Sequence, residues 1–117
     1  MNSESTLRDN FKKLMRRGML YAKYAHDSIF DEKENTMIAL SYLNVAVSNF
    51  SAAESLYYSC ISTLEQQDAD NIFHLFDIFM HEFLNNVRTD HSHQWTSIEY
   101  ENLKTAFDYS VFAVENL

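Results

Sequence analysis

The most restrictive feature of this 117-residue sequence is what it leaves out: it has no proline and a single glycine, Gly18. Positive-φ turns, tight hairpins and glycine-rich phosphate loops are almost excluded, which leaves helices joined by short polar connections. Apolar residues make up 46% of the chain and aromatic residues 15%, enough to fill one core at this length. The expected fold is all-α: an up-down four-helix bundle with a long second helix, in one domain over 1–117.

The first helix is expected from about Ser5 to Asp27, where Leu7, Phe11, Leu14, Met15, Gly18, Tyr21, Ala22 and Ala25 recur every three or four positions. The second is expected to take its N-cap from Asp31 or Asn35 and to run to about Gln66. Its pattern is the most regular in the chain. Ala39, Ala46, Ala53 and Cys60 repeat at seven-residue spacing, interleaved with Leu43, Phe50, Tyr57 and Leu64 at the same period. Small residues alternating with large ones let a neighbouring helix approach closely.

A third helix starts near Asp68 or Asp70 and carries Ile72, Phe73, Phe76, Phe79, Met80, Phe83 and Val87 on its apolar side. The fourth is predicted to open on a capping box formed by Thr96 and Glu99, with Trp95 and Tyr100 as a hydrophobic staple. It is expected to continue to the C-terminus through Ser110, Val114 and Leu117.

Charge is unevenly spread. The formal net charge is −8, yet six of the nine basic residues (Arg8, Lys12, Lys13, Arg16, Arg17, Lys23) fall within the first 23 positions. From residue 34 onward only Arg88 and Lys104 stand against twelve acidic residues, a balance of −10. The overall charge opposes indiscriminate polyanion binding. The basic run on the first helix is read as a solvated face or, more sharply, as a phosphate-facing patch of Lys12, Lys13, Arg16 and Arg17.

The single cysteine, Cys60, has no partner for an internal disulfide and no basic neighbour in sequence to activate it, so it is read as core packing. The polar start MNSEST is not followed by an apolar segment, and no apolar run approaches the roughly 20 residues that span a bilayer. A cytoplasmic protein without membrane contact is expected.

The chain lacks a P-loop, a dinucleotide-binding fingerprint, paired CxxC motifs, HExxH and any Glu-x-x-His pair, so nucleotide-fold and di-iron chemistries are set aside. His74, Asp77 and His81 share one helical face. Histidines two turns apart are about 10 Å apart along the axis and hold one ion only where other helices close the site. The histidines are therefore read as a polar stripe or as buried, hydrogen-bonded side chains, with no metal and no cofactor expected. Glu54 interrupts an apolar row of the second helix; a basic residue of the first helix or Arg88 is its candidate partner, unless it meets water at the bundle edge.

The remaining constellation lies in the polar connection RTDHSHQW, where Arg88 is followed after four residues by His93, with His91 between them. The end of one helix and the start of the next are expected to aim both side chains at one point. Together with the alanine-rich run ALSYLNVAVSNFSAAESLYYS and the closing segment SIEYENLKTAFDYSVFAVENL, this Arg-x4-His arrangement resembles the HEPN domain family (higher-eukaryote and prokaryote nucleotide-binding) over about residues 37–117. The resemblance implies a homodimer that binds RNA or nucleotide and acts as a metal-independent ribonuclease of a toxin or antiphage system. On that reading Arg88 would hold the scissile phosphate, and His93, or His91 in its place, would move protons to leave a 2′,3′-cyclic phosphate. A reading from another class rests on the acidic balance beyond residue 33: a non-enzymatic interaction module, such as an antitoxin, regulator or inhibitor, that occupies a basic protein partner.

Overall fold

A computed structural model describes residues 3–29, 36–89 and 94–113. Four long helices, α1 (Ser3–Ile29), α2 (Thr36–Ser59), α4 (Gln67–Thr89) and α5 (Gln94–Asp108), are joined by one extra turn, α3 (Ile61–Leu64). The architecture is the expected all-α helical bundle, and no strand occurs among the described residues.

Consecutive long helices run antiparallel, as the contacts along them show. The Phe11 ring stacks on Tyr57 with centroids 5.5 Å apart, Gly18 lies against Phe50, and Tyr21 meets Tyr42 at 6.0 Å, so residues ascending α1 meet residues descending α2. Phe50 meets Phe76 at 4.3 Å and Tyr57 meets Phe73 at 5.7 Å between α2 and α4. Between α4 and α5, Phe79 faces Tyr100 at 5.8 Å. His26 stacks on Tyr100 at 4.1 Å and closes the circuit from α1 to α5.

The core is built from the predicted stripes. Phe11, Met15, Gly18, Ala22 and Ala25 of α1 are buried, as are Ala39, Leu43, Ala46, Phe50, Ala53 and Tyr57 of α2. Ile72, Phe76, Phe79 and Phe83 extend the core through α4, and Tyr100, Leu103 and Phe107 through α5. Phe79 and Phe83 are completely buried, each stabilising the fold by about 1.5–3 kcal/mol through loss of contact with water.

Three boundaries differ from expectation, each for a local reason. The long second helix stops at Ser59 instead of continuing to Gln66, and the chain restarts as a single turn after Cys60, whose ψ of 39° breaks the helix. Tyr57 holds this break in place: its hydroxyl offers its proton to the Gln66 carbonyl (3.1 Å) and the Asp70 carboxylate (3.0 Å) and accepts the Gln66 N–H (3.1 Å). Burial, joined by the Asp70 charge, pushes the Tyr57 hydroxyl above the ordinary tyrosine range.

The Thr96–Glu99 capping box does not form, because α5 begins two residues earlier, at Gln94. Thr96 is instead buried, with its hydroxyl directed at the Glu82 carbonyl 3.5 Å away. Trp95 is 60% exposed and cannot staple to Tyr100, which is buried beneath His26. At its other end α5 stops at Asp108 rather than continuing to the C-terminus. The Ser110 hydroxyl donates to the Phe107 carbonyl at 2.6 Å and accepts the Phe112 N–H at 3.1 Å, offering the backbone an alternative to the helix ladder. The expected N-caps Asp31 and Asn35, and the continuation through Val114 and Leu117, lie outside the described residues.

Candidate functional site

The sequence-derived basic patch lies on the first half of α1, but its four members are not equivalent. Arg16 is committed to structure: its Nε donates to the Phe112 carbonyl at 2.8 Å and a terminal nitrogen to the Ala113 carbonyl at 3.3 Å. It thereby satisfies backbone acceptors beyond the end of α5, where a cation also meets the negative end of the helix dipole. Lys12, Lys13, Arg17 and Arg16 itself border a shallow surface hollow of about 550 Å³ with Asp9 and Leu20.

Arg88 occupies the last turn of α4 and is exposed, with one terminal nitrogen 3.4 Å from the Asn85 side-chain oxygen. It shares a surface hollow of about 460 Å³ with Leu40, His81 and Leu84, at the end of the bundle where α2 begins. Lys12 and Lys13 adjoin Phe11, which stacks on Tyr57 where α2 finishes. Leu40 and Tyr57 are separated along α2 by about 26 Å of helix rise, so one chain does not bring Lys12 and Lys13 to Arg88. His91 and His93 lie outside the described residues.

The histidine stripe of α4 is dispersed. The His81 ring nitrogen turns back to the Asp77 backbone carbonyl (2.9 Å) and lies 3.5 Å from the Asp77 carboxylate, both residues being exposed. No three His, Cys, Asp or Glu side chains converge on a metal position among the described residues.

His74 and Asp77 instead border the feature that sequence reasoning missed, a groove of about 410 Å³ along the seam between α2 and α4. Buried Phe50, Phe73 and Phe76 lie at its base with the half-buried Val47 and Met80, while Ser51, Tyr58 and His74 join the carboxylates to make most of its exposed lining polar. Its rim carries three exposed carboxylates: Glu54 from α2, and Asp70 and Asp77 from α4. Glu54 was a candidate for pairing with a basic residue; it stands exposed on this rim, among like charges. The groove exists because large side chains meet large ones there, and the Phe50–Phe76 and Tyr57–Phe73 contacts hold the two backbones apart.

A second groove, of about 400 Å³, follows the α1/α5 seam, with Met19, Tyr100 and Phe107 beneath Arg16, Lys23 and Lys104. Its lysines are already engaged: Lys23 pairs with Asp27 at 3.3 Å and Lys104 with Asp108 at 2.8 Å. The hydrogen bond to Asp108 holds the Lys104 ammonium above the ordinary lysine range. Burial lifts the Tyr100 hydroxyl well above the usual tyrosine value, with Asp27, Glu101 and Asp108 adding to the shift.

Among the described residues no helix is long and apolar enough to cross a membrane. Comparison of the chain with family models, with curated proteins and with solved structures gives no match.

Proposed function

We propose that the protein is an interaction module that works by receiving a basic, amphipathic helix of a partner protein in the α2/α4 groove, in the manner of a cytoplasmic antitoxin, regulator or inhibitor. The observation that carries this reading is the pairing of an aromatic floor with a rim formed by Glu54, Asp70 and Asp77. An apolar helix face buries itself on such a floor, and cationic flanks complement the rim. The acidic balance of the chain steers a basic partner towards it and sets the rate of encounter more than the final affinity.

The test uses a lysine-rich amphipathic helical peptide labelled for fluorescence anisotropy. Binding is expected to weaken as salt is raised, and to fall at least tenfold in the Glu54→Lys, Asp77→Lys double variant with no change in thermal midpoint. Equal affinity in the double variant refutes the groove as the docking place.

A second reading, a HEPN-like dimeric ribonuclease acting on RNA, draws support from Arg88, whose guanidinium is exposed at the end of α4, is engaged only by a long contact to Asn85 among the described residues, and has the geometry to hold a phosphate bidentately. On this reading Arg88 acts with His93 or His91. Metal-free cleavage of single-stranded RNA, abolished by Arg88→Ala and by His93→Ala without loss of stability, is the expected result. Cleavage that persists in both variants removes this mechanism.

A further inference from the structure

The α1/α5 seam holds a polar atom that the fold itself does not use. Tyr100 is only 4% exposed, and a tyrosine so deeply placed ordinarily finds a partner for its hydroxyl. Tyr57 does so, meeting Gln66 and Asp70. The Tyr100 hydroxyl has no hydrogen-bond partner among the described residues. Since no fully enclosed side-chain oxygen or nitrogen there lacks a partner, this hydroxyl reaches solvent, and it does so in the α1/α5 groove that Tyr100 lines. Burial, with the charges of Asp27, Glu101 and Asp108, keeps it protonated well above neutral pH, so it faces the groove as a donor.

The surroundings match a donor at one end of an apolar trough. Unlike the α2/α4 groove, this one has a mainly apolar exposed lining, with Met19, Phe107 and the exposed Leu20. Arg16, Lys23 and Lys104 border it against a single lining carboxylate, Asp108, on a chain whose net charge is −8. Lys23 and Lys104 are held only by exposed i,i+4 pairs, a kind of contact that contributes little, so either ammonium turns towards a ligand at small cost. Asp27 and Glu101 act on Tyr100 from beyond the lining and reduce the surplus of positive charge. That small surplus suits a singly charged head group better than a phosphate, which carries close to two charges at neutral pH.

The ends of the trough are also distinct. Tyr100 stacks on His26, one turn from Lys23, whereas Arg16 is bound to the Phe112 and Ala113 carbonyls. Lys23 and Arg16 lie about 10 Å apart along α1, a distance that an extended alkyl chain of about 1.5 Å bonds covers in roughly eight carbons.

We infer that the α1/α5 groove binds a medium-chain fatty carboxylate of about ten carbons. Its carboxylate accepts the Tyr100 hydroxyl proton beside Lys23 and Lys104, and its alkyl chain lies along Met19, Leu20 and Phe107 towards Arg16. The acceptor satisfies the idle hydroxyl, the charge answers the cations, and the chain covers the apolar lining. This site is separate from the α2/α4 groove and stands whether or not a basic helix binds there.

Calorimetric titration with decanoate, below its micelle concentration, tests the inference. One saturable site is expected, with octanoate binding about tenfold more weakly for the loss of two methylenes. Uncharged 1-decanol is expected to bind more weakly than decanoate. Tyr100→Phe should weaken decanoate about fivefold while leaving the thermal midpoint unchanged, because no internal hydrogen bond is lost. Leu20→Glu, at an exposed position, should abolish binding without loss of helical circular dichroism. Absence of saturable decanoate binding overturns the inference, as does decanoate affinity that is unaltered by either substitution. Octanoate or 1-decanol binding as tightly as decanoate overturns it too. An acidic amphipathic peptide that occupies this seam where decanoate does not would give the groove to a protein partner instead.

Discussion

Helix α2 makes two very different contacts. Against α1 it is packed along its whole length, with Gly18, Ala22 and Ala25 on one helix and Ala39, Ala46 and Ala53 on the other allowing close approach. A Cβ placed on Gly18 would meet the Phe50 ring at 2.8 Å, so no larger residue fits there without displacement. Against α4 the same helix meets bulky rings and, at one end, the Asp70 carboxylate through the Tyr57 and Tyr58 hydroxyls, and a groove remains between the backbones. Small-on-small packing uses up a surface in stability, whereas large-on-large packing leaves concave space for a ligand.

Phe50 belongs to both contacts, reaching Gly18 on one side and Phe76 on the other. Removing it in Phe50→Ala is expected to cost about 3–5 kcal/mol in urea unfolding, the largest single effect at either contact. A loss below about 1 kcal/mol would show that the two seams are held independently of this ring.

Gly18→Ala sharpens the comparison further. In the wild-type background it is expected to destabilise by about 1–3 kcal/mol through overpacking, despite the better helix propensity of alanine. In the Phe50→Ala background the same change should become neutral or stabilising by up to about 1 kcal/mol. A double-mutant cycle reads the difference directly.

The pH response separates the closed core from the open groove. Tyr100 and Tyr57 are both held above the ordinary tyrosine value of 10.0, chiefly by burial. At high pH the unfolded chain ionises these hydroxyls while the folded chain keeps its protons. The stability they contribute is therefore fully present below pH 10 and is lost as pH climbs towards their folded-state values. Chemical denaturation is expected to show a falling slope above pH 10 of up to about 1.4 kcal/mol per pH unit for each tyrosine. Tyr100→Phe should reduce that slope by one proton.

The smallest effect belongs to the rim of the groove. Glu54→Gln with Asp77→Asn is expected to change stability by no more than about 0.5 kcal/mol, since both carboxylates are exposed and relieving their repulsion matters little to the fold. A large gain in thermal midpoint would instead identify stored electrostatic strain at the seam.

The helical periods of the sequence name most of the core, from Phe11 and Met15 to Leu103 and Phe107, because burial of a helix face follows from spacing, but they miss Met19, Ile29, Ala69 and Phe112 and include Leu7, Leu14 and Tyr21, which are only partly buried. Helix ends were less legible. The break at Cys60 involves a hydroxyl nine residues from its partner at Gln66, and Thr96, the expected cap, is instead buried inside α5 with its hydroxyl 3.5 Å from a carbonyl of α4. The Arg88 position at a helix end was readable, while His91 and His93 fall outside the described residues. The groove was not readable, since Glu54, Asp70 and Asp77 come from two helices whose separation no local pattern records.

By itself the sequence determined that the chain is helical, that one core holds it together, and that its charge is divided between a basic first helix and an acidic remainder. Those properties are sums over local choices: propensity, period and composition. Tertiary structure alone decided which helix seam closed and which stayed open, because that depends on which side chains meet across space. It also decided that Arg16 caps a distant turn while Lys12, Lys13 and Arg17 remain at the surface.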